Sequence, residues 1–402
     1  MKIIHKLKID NLDKPLKNSL IGITLQRVSC ADPKAAIAAG DKTFQRITGK
    51  SVIGLVAGGE GLDLAAFAAR KQVPLVLFEP PTDDIDAGAA SLAQVWSSVG
   101  RLRHLALVLR HLAATQRWTR LAVVSDPTAL ARDFFHALNN DTHDLALRDY
   151  AISSKAEVSP EEAKNLLQTL RTDRARIVFV NARADIANKI LSAAAEARMV
   201  GDEYVWIVRD WPPTENASCV RVISITPWCR GDNDTASGAG SPELRAAMNQ
   251  LWPGRDWPAR AVALADALLT LTYAFQETMR QHPFIIEYDL HTDQILKEFG
   301  SAMAKGLSGR AGVLEELSYE AGSRARAHPL VFVDRWSGGA RSPLGRCRVA
   351  GARVNCTLRP LFQGDPPADG ASGCMAATGD AFSPYCHDPE WISVLVLAAL
   401  AL

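Results

Sequence analysis

Short runs of apolar, β-branched residues alternate along this chain with amphipathic stretches of about ten to fifteen residues, and that alternation limits the available folds more than any other feature. SVIGLVAGG leads through a helical pattern to QVPLVLF, and TRLAVVSDP, Thr119 to Pro127, leads into TALARDFFHAL. RIVFVNA, Arg176 to Ala182, is followed by DIANKILSAAAEARM, after which come EYVWIVRDW, VRVISITPW and, much later, LVFVDRW. A strand apolar at every position is covered on both faces, and a helix between two such strands makes them parallel. The fold class is therefore α/β with parallel sheets, and 402 residues suffice for two lobes.

Local signals place several boundaries. Ser159, Pro160 and Glu162 form a capping box with proline in the first turn. Ser97 and Ser98 are candidate caps for a helix over 102–112, and Asp126 with Pro127 reads as an N-cap and first-turn pair. PARAVALADALLTLTYAFQETMRQ, Pro258 to Gln281, is the longest helical pattern, and 231–242 reads as a loop. The residues after Trp336 read as a Pro/Gly-rich tail with little hydrophobic period.

Chemistry is harder to find. A dinucleotide fingerprint needs GxGxxG after a strand. Gly59 and Gly61 supply the first pair, Leu64 stands where the third glycine belongs, and no Walker lysine follows. The turn is either a plain strand-to-helix turn or the wall of a ligand crevice at the carboxyl ends of the strands. On the second reading the contacts are Gly58, Gly59, Glu79, Asp126 and Trp211, with capping as an equal explanation for Asp126. There is no GxSxG, HExxH or HxxEH, and the nine histidines are scattered, so neither cofactor nor metal is expected and the chain itself is read as non-enzymatic. With 45 basic and 44 acidic residues and no basic stripe interleaved with aromatics, nucleic acid is not expected as a partner.

The amino terminus lacks the continuous apolar core of a secretory signal. The carboxyl terminus, WISVLVLAALAL, Trp391 to Leu402, is apolar on every face and is read as the start of a truncated membrane helix, a buried terminal element being the alternative. Cys347, Cys356, Cys374 and Cys386 lie where staples would be needed, and Cys219 and Cys229 bracket CVRVISITPWC. No CxxC occurs, so disulfides are preferred over zinc, with Cys30 left over from an odd seven. Sequons at Asn140, Asn216, Asn233 and Asn355 fit the same extracellular placement as glycosylation sites.

Taken in order, SVIGLVAGG, QVPLVLF, LAQVWSSVGRLRHLALVLRHLAATQRWTRLAVVSDP, ARMVGDEYVWIVRDW and GLSGRAGVLEELSYEAGSRARAHPLVFVDRW resemble blocks of a receptor ligand-binding region. That region is shared by natriuretic-peptide receptors, receptor guanylate cyclases and the amino-terminal domains of glutamate receptors. The resemblance implies a type I periplasmic-binding-protein-like fold, two Rossmann-like lobes with parallel sheets joined by a hinge. It assigns 1–117 and 255–305 to lobe one, 118–254 and 306–365 to lobe two, and 366–390 to a cysteine-containing juxtamembrane tail. It implies an extracellular peptide or small-molecule ligand, a homodimer, and attachment to the cell membrane through the terminal segment. Amino-acid-sensing members carry small hydroxyl residues after the second apolar run, where this chain has Leu77, Glu79, Pro80 and Pro81, which weighs against glutamate or GABA. Cys374 and Cys386 running into WISVLVLAALAL resemble the juxtamembrane pair of natriuretic-peptide receptors and receptor guanylate cyclases. The expected function is thus the ligand-sensing region of a single-span receptor, signalling by lobe or dimer rearrangement. The alternatives are a soluble solute-binding protein of a transport system and a glutamate-type amino-terminal domain, with a nucleotide-dependent enzyme behind them.

Overall fold

In the structure, a computed structural model, the alternating runs become strands and helices in the expected order. It describes residues 54–58, 62–81, 95–140, 145–153, 158–201, 203–209, 222–229, 240–258, 260–282, 293–303, 307, 309–320, 324–337, 340–362, 364 and 366–369. In chain order the elements are β1 (Leu55–Ala57), α1 (Leu62–Arg70), β2 (Leu75–Leu77), β3 (Val95–Ser97), α2 (Leu102–Thr115), β4 (Arg120–Ser125), α3 (Ala129–Asn139), β5 (Ala146–Ala151), α4 (Pro160–Thr172), β6 (Ile177–Asn181), α5 (Ala184–Glu196), β7 (Val205–Arg209), β8 (Val222–Thr226), α6 (Pro242–Leu251), α7 (Ala261–Gln281), α8 (Asp293–Ser301), β9 (Leu330–Ser337), β10 (Ala340–Ala350) and β11 (Arg353–Leu358). They fall into two compact units, one from the residues up to Arg101 and Trp228–Leu330, the other from Leu102–Pro227 and the residues after Leu330.

The first unit holds a parallel sheet of order β1-β2-β3, in register Val56↔Val76↔Trp96. Its strands are apolar at every position but Ser97, because both faces are covered. Ala65 and Ala68 of α1 pack with Leu75, Leu77 and Val95 on one face, while Ala267, Leu271 and Ala274 of α7 pack with Val76 and Trp96 on the other. The segment after α8 folds back on α7. Asp266 accepts hydrogen bonds from Val313 N at 2.8 Å and Arg326 Nη2 at 3.1 Å, and the Thr270 and Tyr319 hydroxyls meet at 2.7 Å.

The second unit is an eight-stranded sheet of order β11-β10-β9-β8-β7-β6-β4-β5. From β5 to β8 neighbouring strands are parallel, and β9 joins β8 antiparallel. One face buries α4 and α5 through Leu167, Leu170, Ile186 and Ile190, the other α2 and α3 through Leu105, Leu109, Phe134 and Leu138. Ser159 caps α4 by accepting from Glu162 N at 3.1 Å, with Pro160 next. The Glu162 carboxylate completes no reciprocal box, because it accepts from Ser153 N and Ser153 Oγ instead.

Several expectations are corrected. Ser97 and Ser98 do not cap α2: Ser97 ends β3 and donates to Val99 O, and the Ser98 hydroxyl donates to Ala263 O at 2.9 Å. The N-cap of α3 is Thr128, whose hydroxyl accepts from Ala131 N, and Asp126 stands two residues before it. The stretch after Trp336 is no featureless tail, for β10 and β11 form an antiparallel hairpin in which Cys347 faces Cys356 and is disulfide-bonded to it. The units also divide the chain differently from the implied lobes. The leucine face of α2 packs against β4, β6, β7 and β8, which places 102–117 with the second unit, and the Asp266 contacts tie 310–326 to the first. The loop at 231–239, the run at 391–402, Cys30, Cys219, Cys374 and Cys386 lie outside the described residues.

Candidate functional site

Parallel strands end at the same edge of a sheet, so loops widely separated in sequence meet there. In the first unit that edge collects Gly58 after β1, Phe78 and Glu79 after β2, and Ser98 and Val99 after β3. A Cβ built on Gly58 would lie 2.6 Å from the Phe78 ring and 3.1 Å from Glu79 Cδ, so glycine is required here for close approach. The Glu79 carboxylate, 17% exposed, pairs with Arg260 Nε at 2.9 Å, and the Arg260 guanidinium lies 5.8 Å from the centre of the Trp228 ring. Trp228 is itself buried beside Val99 and Ala263, with Phe78 packed against them. The result is a carboxylate and a guanidinium held at a sheet edge on an aromatic floor. A ligand carrying a charged or hydrogen-bonding group could exchange with that pair. Nucleophile and base partners of a covalent catalyst do not meet among these residues.

The corresponding edge of the second unit is already committed. The Asp126 carboxylate accepts from Thr128 Oγ1 at 2.5 Å, Thr128 N at 3.3 Å and Arg183 N at 2.9 Å, and its side chain has no exposed area. Asn181 donates to Ala131 O at 2.7 Å, and the Arg209 guanidinium lies over the Phe134 ring. These polar groups fasten α3 and α5 to the sheet.

Of the sequence-predicted contacts, Gly58 and Glu79 are therefore brought together in the first unit, Asp126 is buried in the second, and Gly59 and Trp211 lie outside the described residues. Arg260 and Trp228 were missed, because no local pattern says that they return to the edge where Glu79 stands. Among the other expected positions, Asn140 is exposed at the end of α3 and Asn355 is exposed on β11, while Asn216 and Asn233 lie outside the described residues. Cys229 is buried. Among the described residues there is no group of three or more His, Cys, Asp or Glu suited to a metal ion, and no helix is long and apolar enough to cross a membrane.

A family model described as the receptor family ligand binding region matches residues 9–314, about three quarters of the chain. That range contains the whole edge site of the first unit and stops short of β9. No curated protein matches the chain.

Proposed function

This chain belongs to the receptor family ligand binding region, whose fold is periplasmic-binding-protein-like of type I, and from that premise we propose that it is the sensing part of a single-span membrane receptor. The kind most like it is the receptor guanylate cyclase or natriuretic-peptide receptor. Regions of this family are generally extracellular ligand-binding domains. The observation that carries the reading is the Glu79–Arg260 pair set beside Trp228 and Gly58 at the carboxyl edge of β1, β2 and β3. A ligand acts there by preferring one lobe or dimer arrangement, and it shifts the equilibrium by no more than its differential affinity. The chain does no chemistry of its own. The membrane part of the proposal is supported by the uncharged run 391–402 and by Cys374 and Cys386 before it.

Two experiments test this. Thermal unfolding of residues 1–390 is followed against a panel of amino acids, nucleotides, inorganic ions and peptides. A ligand at about 100 times its Kd adds roughly 2.7 kcal/mol of stability, and the gain should vanish in Glu79→Gln/Arg260→Ser. A hit that survives both substitutions removes the edge site from the proposal. Separately, the protein produced from its native transcript should stay with the membrane fraction through alkaline carbonate washing, and its release would favour a soluble solute-binding protein.

A further inference from the structure

The two halves of the Glu79–Arg260 pair are not equally placed at the edge of the first unit. The Glu79 side chain is 17% exposed and that of Arg260 56%. Glu79 follows β2 closely, its backbone carbonyl accepts from Ser97 Oγ at 3.4 Å, and a Cβ on Gly58 would press on its carboxyl carbon. The carboxylate is thus set in place by the strand that carries it. Arg260 reaches the edge from the N-cap position of α7, and its side chain makes no capping bond to that helix. Withdrawal of the guanidinium into water therefore costs α7 no cap. The start of the helix stays tied to the sheet by the Ser98 hydroxyl, which donates to Ala263 O at 2.9 Å.

What stays behind when Arg260 withdraws has a definite chemistry. An indole carries negative charge on its faces and attracts a cation within about 6 Å of its centre. The Arg260 guanidinium carbon lies there, 5.8 Å from the Trp228 ring centre. Glu79 adds a full negative charge beside that face, its carboxylate 2.9 Å from Arg260 Nε. An anionic ligand would have to expel the more buried Glu79 and then meet the repelling face of the indole. A cation needs only the position that the exposed arginine gives up. Phe78, packed against Val99, Trp228 and Ala263, adds apolar surface for the stem of such a ligand.

We infer that the corner formed by Glu79 and Trp228 is a site for a cationic head group, an alkylammonium or guanidinium, and that Arg260 fills it as an internal competitor until the ligand displaces it. The inference rests on the edge site being the ligand site, and it adds the ligand's charge class and a built-in check on its affinity. Apparent affinity is the intrinsic one reduced to the fraction of molecules in which Arg260 is withdrawn.

The test uses four probes on one carbon stem, butylammonium, butylguanidinium, butyrate and 1-butanol, titrated against the full chain by saturation-transfer NMR. Both cations should bind saturably and compete with each other, and butyrate and butanol should not bind. Arg260→Ser should tighten the cations about five- to tenfold, the strength expected of an exposed ion pair with a cation–π contact as competitor. Glu79→Gln should weaken them about tenfold or more. The Arg260 Nε–H should exchange faster with water as butylammonium saturates the parent protein, a change that a merely structural pair would not show. Should Glu79→Gln unfold, the tightening in Arg260→Ser and the Arg260 exchange carry the test alone. Cations bound only by Arg260→Ser would mark a vacated side-chain pocket and overturn the proposal. Butyrate bound in preference, and weakened by Arg260→Ser, would keep the edge site and reverse its charge class, which also overturns it. A ligand from the wider panel that is indifferent to both substitutions would remove the edge site itself, and this inference with it.

Discussion

Asp126 shows how much one side chain's role depends on what its neighbours leave for it to do. It sits at the end of a strand, where ligand contacts are expected, yet its oxygens are already taken by Thr128 and the Arg183 backbone. Asp126→Ala leaves those donors without an acceptor in a buried place. The second unit should lose about 1–3 kcal/mol, measured by denaturant unfolding. A loss near zero would mean that solvent replaces the carboxylate freely and the side chain is available to a ligand. Glu79 is the contrasting case, partly exposed and paired with an arginine whose side chain is more than half exposed, so Glu79→Gln should leave stability nearly unchanged. Gly58 and Glu79 were legible because an apolar run that breaks at a glycine or an acid marks a strand's carboxyl end. Arg260 was not, since charge pairing between residues so far apart in sequence has no local signature.

At the scale of elements, the long helix α7 carries a charge into the core of its unit. Burial pushes the Asp266 carboxyl above its ordinary value, and the neighbouring Arg326 opposes but does not cancel the shift. The folded state therefore keeps this proton after the unfolded state has lost it. Its contribution to stability is fully present below the unfolded value near 3.8 and declines as pH rises through the folded one. Unfolding free energies measured from pH 3 upward should show that decline, and Asp266→Asn should flatten it. The same substitution leaves Arg326 buried beside Glu315 without its ion pair, so at neutral pH it should still cost a few kcal/mol. The hairpin gives the second expectation at this scale. Cys347→Ser/Cys356→Ser should destabilise it by roughly 2–3 kcal/mol, seen as faster amide exchange at Val349 and Val354 than in the parent. Its strands were hidden in the sequence for a physical reason. Only one face is buried, so the apolar residues alternate at 347, 349, 354, 356 and 358 among arginines, and the surrounding prolines and glycines dilute that alternation. The buried parallel strands β4, β6, β7 and β8 were easier, being mostly apolar, whereas β5, ALRDYA, is a half-exposed strand whose polar residues hid it.

For the whole molecule the decisive fact is that neither unit is a continuous piece of chain. The second needs β9, β10 and β11, which are reached only after the chain has built most of the first. Residues 102–227 contain the parallel core of the unit, β4 to β8 with α2 to α5. In the folded protein, however, β8 pairs on its outer side with β9 from Val222↔Trp336 to Thr226↔Phe332. The Trp336 indole donates to the buried Ser224 hydroxyl at 2.9 Å across that junction. Without β9, a fully buried five-residue strand becomes an exposed edge, the usual start of sheet-to-sheet aggregation. Residues 102–227 expressed alone should therefore aggregate. The same residues joined by a flexible linker to 328–369 should be monomeric by size-exclusion chromatography, with slow amide exchange in β8. A soluble, slowly exchanging 102–227 fragment would show that the returning strands decorate the unit and do not complete it. LVFVDRW is recognisable as a strand from its residues, but its place beside VISIT is fixed by pairing across more than a hundred positions, which only the assembled sheet reveals.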